Sequence, residues 1–331
     1  MDGAVPRSPA AQRWAGTAIR LAIAGALLAY LARSEAIDWS AFAGLANNWR
    51  LALLALAGVC SGNVIVAVRL PLLLRAAGYE MTNARAIVLA LIGLFFGMFL
   101  PGSASGDAAK IYYVVAGQRR GTRAELATLV LLDRAIGFAA AFATPLLVLP
   151  FFAGALRPGG SAATLTGVCA VVFAIGAMIF AVALAGRSGL RGMLPARFQA
   201  GIVARSLETI RALRASPRAL VASFSLSIAA QVITIASFGA IGSALGFDVM
   251  QPALALAVPL GLVANALPLT PGGLGVGEVA FHRLFAELGM HAGAELLVGW
   301  RLCMVTMALV GGAFYVHGRK QFVSSAAEAR S

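Results

Sequence analysis

Apolar segments separated by short polar or basic links make up most of the chain. Runs of about 20 apolar residues are typical of helices that cross a membrane. The pattern predicts six full crossings, over residues 18–32, 51–70, 126–152, 162–185, 219–245 and 296–316. Between the first two, residues 37–48 carry aromatic side chains at roughly helical spacing, which predicts a short interfacial helix or turn.

Two further apolar segments, residues 86–100 and 253–267, are too short for a full crossing. They run into the Pro- and Gly-rich sequences LPGSASGD (100–107) and ALPLTPGGLGVGE (266–278). Irregular backbone at membrane depth is tolerated only where it is buried in protein or lines a wet cavity. We therefore expect two re-entrant hairpins made of broken helices, with returning helices at residues 107–117 and 277–288.

Composition supports a membrane protein throughout. Hydrophobic residues make up 60% of the chain and charged residues 12%, against about 45–50% and about 25% in soluble domains. The predicted fold class is an all-α, polytopic transmembrane helical bundle forming a single domain over residues 1–331. Its expected parts are an N-terminus (1–17), a first repeat unit (51–152), a basic connector (187–218), a second repeat unit (219–316) and a tail (317–331).

The net charge of +13 lies mainly in a few segments. These are the N-terminus, residues 69–85, 110–123 and 187–218, and the tail. Because cytoplasmic loops carry the excess of Lys and Arg, the sequence predicts a protein of the cytoplasmic (inner) membrane with both termini inside. The amphipathic connector is expected to contact anionic lipid. No patch typical of nucleic-acid binding is seen, and a homo-oligomer or an envelope-lipid enzyme remains open as a partner.

The two halves carry a similar series of residues. An acid follows a hairpin proline by 6 residues in the first half and 7 in the second, at Asp107 and Glu278. An arginine in the next span follows the acid by 27 and 23 residues, at Arg134 and Arg301. With the predicted orientation, the first hairpin enters from the cytoplasm and the second from outside. This relation predicts an inverted-topology repeat, an architecture found in many transporters.

Five charged residues lie within the apolar segments, where each needs a partner or water. They are Asp107, Asp133, Arg134, Glu278 and Arg301. In one interpretation, each acid neutralises an arginine and locks helices together. In the other, the arginines and the helix N-termini hold an anionic head group. We favour the second because the charges cluster at the two breaks and the helices that follow them.

The residues at the breaks have two interpretations as well. Tight turns and close helix packing require glycine, and so does a close approach of backbone to a phosphate. The positions concerned are Pro101, Gly102, Gly106, Pro271, Gly272, Gly273 and Gly275. Asn63 and Asn265 are expected to form hydrogen bonds between helices. The three cysteines share no metal-ligand spacing, and no catalytic motif is present, so no metal, cofactor or enzymatic activity is expected.

Three segments resemble the signature segments of the lysylphosphatidylglycerol synthase transmembrane region family, which are flippase-like membrane proteins. They are FFGMFLPGSASGDAAKIYYV (95–114), LLDRAIGF (131–138) and ALPLTPGGLGVGEVAFHRLF (266–285). The resemblance runs from about residue 18 to 316. It implies a helical bundle with re-entrant helices that moves a lipid or lipid-linked molecule between leaflets. It also implies family-like roles for the break residues above, for Asp133, and for the two acid and arginine pairs.

The resemblance has limits. Full-length synthases carry a soluble aminoacyl-transferase domain, and this chain ends soon after its last predicted span, so we expect no such activity. Relatives often carry a basic or polar residue where Gly277 precedes the acid. Some relatives accompany hopanoid or isoprenoid-lipid pathways. The predicted function is translocation of an anionic-head-group lipid. One alternative is a non-transporting subunit of a lipid-synthesising enzyme that docks through residues 187–218; the other is a small-solute transporter driven by protons at Asp107 or Glu278.

Overall fold

The computed structural model describes residues 39–99, 105–116, 123–148, 150, 161–185, 202–267, 270 and 273–328. All regular structure in these ranges is helical. Eleven α-helices are described: α1 (Ala43–Asn47), α2 (Trp49–Ala76), α3 (Asn83–Phe99), α4 (Ser105–Ala116), α5 (Arg123–Val148), α6 (Ser161–Ala185), α7 (Ile202–Ala212), α8 (Pro217–Leu245), α9 (Gln251–Asn265), α10 (Val276–Glu287) and α11 (Gly293–Glu328). Short 3₁₀ turns at Trp39–Phe42 and Leu213–Ala215 precede α1 and follow α7.

Five of these helices, α2, α5, α6, α8 and α11, are long and apolar enough to cross a membrane. They match five of the six predicted crossings, and the sixth, residues 18–32, lies outside the described residues. The predicted all-α, multi-pass bundle is therefore confirmed. The expected short helix before α2 is also present, as the turn at Trp39–Phe42 and α1.

The boundaries of two predicted basic links were wrong. Helix α2 continues to Ala76, so Arg69 lies inside it and is only 3% exposed. The apolar run after Arg69 supports the extension, and α2 accommodates Pro71 without ending there, although a proline removes one backbone hydrogen bond. Lys110 likewise lies inside α4, within the predicted returning helix at residues 107–117, so the basic segment at residues 110–123 overlaps this helix.

Helices α3 and α4 form an antiparallel pair. The Ser105 hydroxyl donates a hydrogen bond to the Phe96 carbonyl at 2.7 Å. Further along, Gly106 meets Gly93 so closely that a Cβ on Gly106 would lie 2.5 Å from the Gly93 carbonyl oxygen. Glycine is required here because real Cβ atoms do not approach a carbonyl to that distance.

Helices α9 and α10 form a second antiparallel pair. Gly261 faces the ring of Phe281, and Gly277 faces the side chain of Asn265. The tips of both pairs contain Pro101, Gly102, Pro271 and Gly272, all of which lie outside the described residues. The re-entrant placement of the two pairs stays a prediction.

Helices of each half pack against helices of the other half. Helix α2 lies antiparallel to α8, with Gly58 against Ser237 and Gly62 against Thr234. Around this centre, α11 of the second half packs on α3 of the first. Correspondingly, α5 of the first half packs on α9 of the second. Each hairpin is thus held by a long helix of the other half.

Two apolar cores flank the centre. In the second half, the rings of Phe281 and Phe285 stack at 5.9 Å, and Phe238 stacks on both Phe281 and Trp300. In the first half, buried leucines of α2, α3 and α5 form the other core, together with Leu213. Helix α6 instead exposes most of its apolar side chains, as expected for a helix that faces lipid.

The described part of the basic connector is helix α7 with the following turn. Thr209 and Leu213 are buried, and the hydroxyls of Thr128 and Ser206 form a hydrogen bond of 2.8 Å between α5 and α7. One face of α7 therefore packs against the bundle. Residues 187–201 lie outside the described part of the chain, and the predicted contact with anionic lipid stays a prediction.

Candidate substrate-binding cavity

Two adjoining cavities lie where the halves meet. The larger, of about 350 Å³, is bounded mainly by α2, α3, α5, α8 and α9. The smaller, of about 210 Å³, lies among α3, α4 and α11. Four residues line both cavities: Leu94, Asp107, Lys110 and Trp300. Polar groups of both halves therefore surround one connected region inside the bundle.

The first ion pair in this region joins α2 to α5. Arg69 donates from Nε to Asp133 at 2.5 Å and from Nη2 to the other carboxylate oxygen at 2.9 Å. Its Nη1 donates to the Ser227 hydroxyl of α8 at 2.6 Å. A Cβ on Gly137 would lie 3.2 Å from this guanidinium, so the glycine makes room for it. Arg69 thus connects three long helices through three hydrogen bonds.

The second ion pair joins Asp107 of α4 to Arg134 of α5. Asp107 lies in the first turn of α4, where a helix N-terminus favours a carboxylate. The Arg134 guanidinium also lies 5.5 Å from the centre of the Phe138 ring, within range of a cation–π interaction. The side chains of this pair are 35% and 24% exposed for Arg134 and Asp107, and both residues line the larger cavity.

The third ion pair joins Glu278 of α10 to Arg301 of α11. Arg301 Nε lies 2.7 Å from a Glu278 oxygen, and Nη2 donates to the Asn265 side-chain oxygen at 2.7 Å. Glu278 also accepts a 2.7 Å hydrogen bond from the Gly275 backbone N–H, as in a capping box. Both side chains are nearly buried, at 11% and 2% exposure for Arg301 and Glu278.

In each half the acid pairs with the arginine, as in the interpretation that each acid neutralises an arginine, but the two pairs differ. Glu278 and Arg301 are nearly buried, and Glu278 accepts a hydrogen bond from the Gly275 N–H while Arg301 donates one to Asn265. Asp107 and Arg134 remain open to the larger cavity. In the second helix pair, Gly277 next to the acid faces the Asn265 side chain, whereas in the first pair Gly106 next to the acid faces Gly97, which has no side chain.

The glycines at the second break allow backbone conformations and close contacts that a side chain would prevent. Gly273 and Gly275 have φ of +71° and +80°, a region that other residues rarely adopt. Gly277 has no space for a side chain, because a Cβ there would collide with the Asn265 side chain and lie 3.0 Å from Arg301 Nη2. Relatives often carry a basic or polar residue at this position. The glycine at position 277 therefore leaves room for Asn265 to reach Arg301.

Sequence reasoning missed two residues of the site. Arg69 and Lys110 lie at the ends of the predicted helices 51–70 and 107–117 and were counted with the basic segments, yet both line the larger cavity. A signal was present, since each is flanked by apolar residues on both sides in the chain. Asn63 donates to the Val59 carbonyl at 2.8 Å and lines the cavity. His282 and Arg283 line neither cavity.

Most of the chain matches the model of a known protein family. The family model described as the lysylphosphatidylglycerol synthase TM region matches residues 17–312. No curated protein and no solved structure gives a significant match.

Proposed function

Since the chain belongs to the lysylphosphatidylglycerol synthase TM region family, we propose that it moves a lipid or lipid-linked molecule with an anionic head group between the leaflets of the cytoplasmic membrane. The family and the five apolar helices make it a multi-pass membrane protein linked to lipid handling. The translocase activity, the substrate and the membrane are our proposal.

One observation carries the proposal. Asp107 and Lys110 line both cavities, and the second cavity also includes Arg301 of the other half. Charged side chains inside membrane helices are costly and mark pathways for polar groups. Here they surround space between the two halves, as a route for a polar head group through the bundle requires.

Arg134 is the arginine best placed to bind the head group. It is open to the larger cavity, and its planar guanidinium can donate two parallel hydrogen bonds to a phosphate. Arg301 already donates to Glu278 and Asn265. We therefore assign head-group binding to Arg134 and an anchoring role to Arg301, which narrows the expectation that both arginines bind substrate.

Alternating access fits an inverted repeat, and the helix packing supports one. The contact of α11 with α3 has its counterpart in the contact of α5 with α9, as a twofold relation between the halves would produce. In this proposal the two helix pairs are re-entrant, and rocking of one half against the other exposes the cavities to opposite leaflets. The distribution of Lys and Arg supports cytoplasmic termini.

Reconstitution tests the function. The full chain would be incorporated in liposomes that contain a fluorescent anionic phospholipid, and a membrane-impermeant quencher would report the fraction in the outer leaflet over time. We expect faster exchange between leaflets than in protein-free vesicles. Equal rates across a panel of anionic lipids would contradict the proposal.

A further inference from the structure

Side chains that carry sulfur come together where α2, α3 and α11 meet. The chain has three cysteines and nine methionines, and one apolar cluster of the described residues contains five of them. They are Cys60 of α2, Met98 of α3, and Cys303, Met304 and Met307 of α11. Sulfur ligands are therefore concentrated at a contact between the first half and the second.

The two cysteines of this cluster belong to different halves. Cys60 and Cys303 are both free thiols and partly buried, and they lie close enough to interact electrostatically. Because α2 and α11 are far apart in the chain, no spacing of cysteines in the sequence indicates this pair. Two thiols held on opposite sides of a helix contact can bind the same ion.

Met304 adds a third sulfur beside the thiols. It follows Cys303 in the chain and is 8% exposed. Its sulfur accepts a 3.5 Å hydrogen bond from the Asn63 side-chain amide, and that amide also donates to the Val59 carbonyl at 2.8 Å. Asn63 lies one turn after Cys60 on α2, so it holds the Met304 thioether next to the turn that carries the Cys60 thiol.

The smaller cavity gives access to the cluster. Met98 and Met304 both line it, and it adjoins the larger cavity inside the bundle. An ion could therefore reach the sulfur atoms without crossing the apolar core. A metal site needs such an entry path as well as its ligands.

The ligand set selects the kind of ion. Within the part of the chain that the structure describes, no group of three or more His, Cys, Asp or Glu side chains could hold a metal. A structural zinc site takes four such ligands, and the cluster does not supply them. Thiolate and thioether sulfurs are soft ligands that bind Cu(I) well.

We propose that Cys60, Cys303 and Met304 bind a Cu(I) ion. On binding, copper–sulfur bonds form to the three side chains, one thiol releases its proton to water, and no electron is transferred. The bound unit is then neutral, which suits its position among membrane helices. Lipid transport plays no part in this site, which therefore goes beyond the proposed function.

The test measures Cu(I) binding directly. The full chain in detergent would be titrated with Cu(I) under anaerobic, reducing conditions against the coloured chelator bicinchoninate. We expect the protein to withdraw one ion per chain from the chelator. Bound Cu(I) should also raise the temperature of thermal unfolding, because it binds the folded state. Zn(II) should produce no comparable rise.

Variants locate the site. Cys60→Ser and Cys303→Ser should each weaken Cu(I) binding by about a hundredfold or more, and Asn63→Leu by about tenfold, the loss typical of a group that orients a ligand. Cys169→Ser is the matched control, since Cys169 is buried in a different cluster. It should keep the wild-type affinity.

A measurement on the wild type avoids variants that fold poorly. Peptide mass spectrometry after treatment with N-ethylmaleimide would report the modification of each cysteine with and without Cu(I). Bound Cu(I) should protect Cys60 and Cys303 together and leave the modification of Cys169 unchanged.

Three results would overturn the proposal. The first is that bicinchoninate keeps all the Cu(I). The second is that both serine variants bind as tightly as the wild type. The third is that Cu(I) protects only one of Cys60 and Cys303, which would mean that the ion binds a single thiol and not a site shared by α2 and α11.

Discussion

Arg69 and Asp133 are 64 residues apart in the chain and form a two-point ion pair between α2 and α5, at 2.5 and 2.9 Å. The side chains of Arg69 and Asp133 are 4% and 14% exposed. Both residues line the larger cavity, and Ser227 ties the pair to α8. The pair therefore sets the spacing of the helices on which the proposed head-group site is built.

We expect Arg69→Met to lower stability by about 3–5 kcal/mol, because removal of one partner leaves a buried charge uncompensated. Asp133→Leu should have a similar effect. The double variant Arg69→Met with Asp133→Leu should be more stable than either single variant, since no charge is left unpaired. Thermal unfolding in detergent would measure this, and a double variant as unstable as the sum of both changes would contradict the assignment.

Asn265 and Gly277 should show coupled effects on stability. Asn265→Ala removes a hydrogen bond to Arg301 and should cost about 1.5–3 kcal/mol. Gly277→Ala should cost about 1–3 kcal/mol through overpacking, because its Cβ collides with the Asn265 side chain.

In the double variant the collision is relieved, so the two costs should fall short of additivity by about 1 kcal/mol. Gly176→Ala is the control, since a Cβ there meets nothing within 4 Å. Strict additivity in thermal unfolding would show that the two side chains do not meet.

The pKa of the Tyr79 phenol should be unusually high. It lies in the link between α2 and α3, outside the spans, and donates a 2.7 Å hydrogen bond to Glu125. Burial, assisted by this hydrogen bond and the negative charge of Glu125, raises the pKa of Tyr79 from 10.0 to about 12. The folded protein favours the neutral phenol, so its stabilising contribution is complete below about pH 10 and is lost as the pH rises through about 12.

Phenolate absorbance would be titrated in the wild type and in Tyr79→Phe. The difference between the two curves should rise near pH 12. In addition, stability should fall less steeply in the variant than in the wild type between pH 10 and 12. A difference curve that rises near pH 10 would contradict both the burial of Tyr79 and its hydrogen bond to Glu125.

Apolar periodicity predicted the spans well, because long hydrophobic runs have few alternatives in a chain of this composition. The sequence showed an acid and a later arginine in each half but left open whether they pair; in the structure Asp107 meets Arg134 and Glu278 meets Arg301. The partner of Asp133 was not predictable in this way. Arg69 pairs with it through tertiary packing of α2 on α5, and its position at the end of the predicted span grouped it with the basic residues that follow.

The difference in exposure between the two acid and arginine pairs could likewise not be predicted from the sequence. Both contain an acid and a later arginine at similar spacing. Only the three-dimensional arrangement brings Asn265 and the Gly275 backbone to the second pair, leaving the first pair open.

The most direct test of the account compares Arg134→Gln with Arg218→Gln in the vesicle assay for lipid exchange between leaflets. Arg134 lines the larger cavity, whereas Arg218 is exposed at the end of the basic connector. We predict that Arg134→Gln slows exchange by about tenfold or more, as expected for a lost charged hydrogen bond, while Arg218→Gln keeps the wild-type rate. Wild-type exchange in Arg134→Gln would contradict the account.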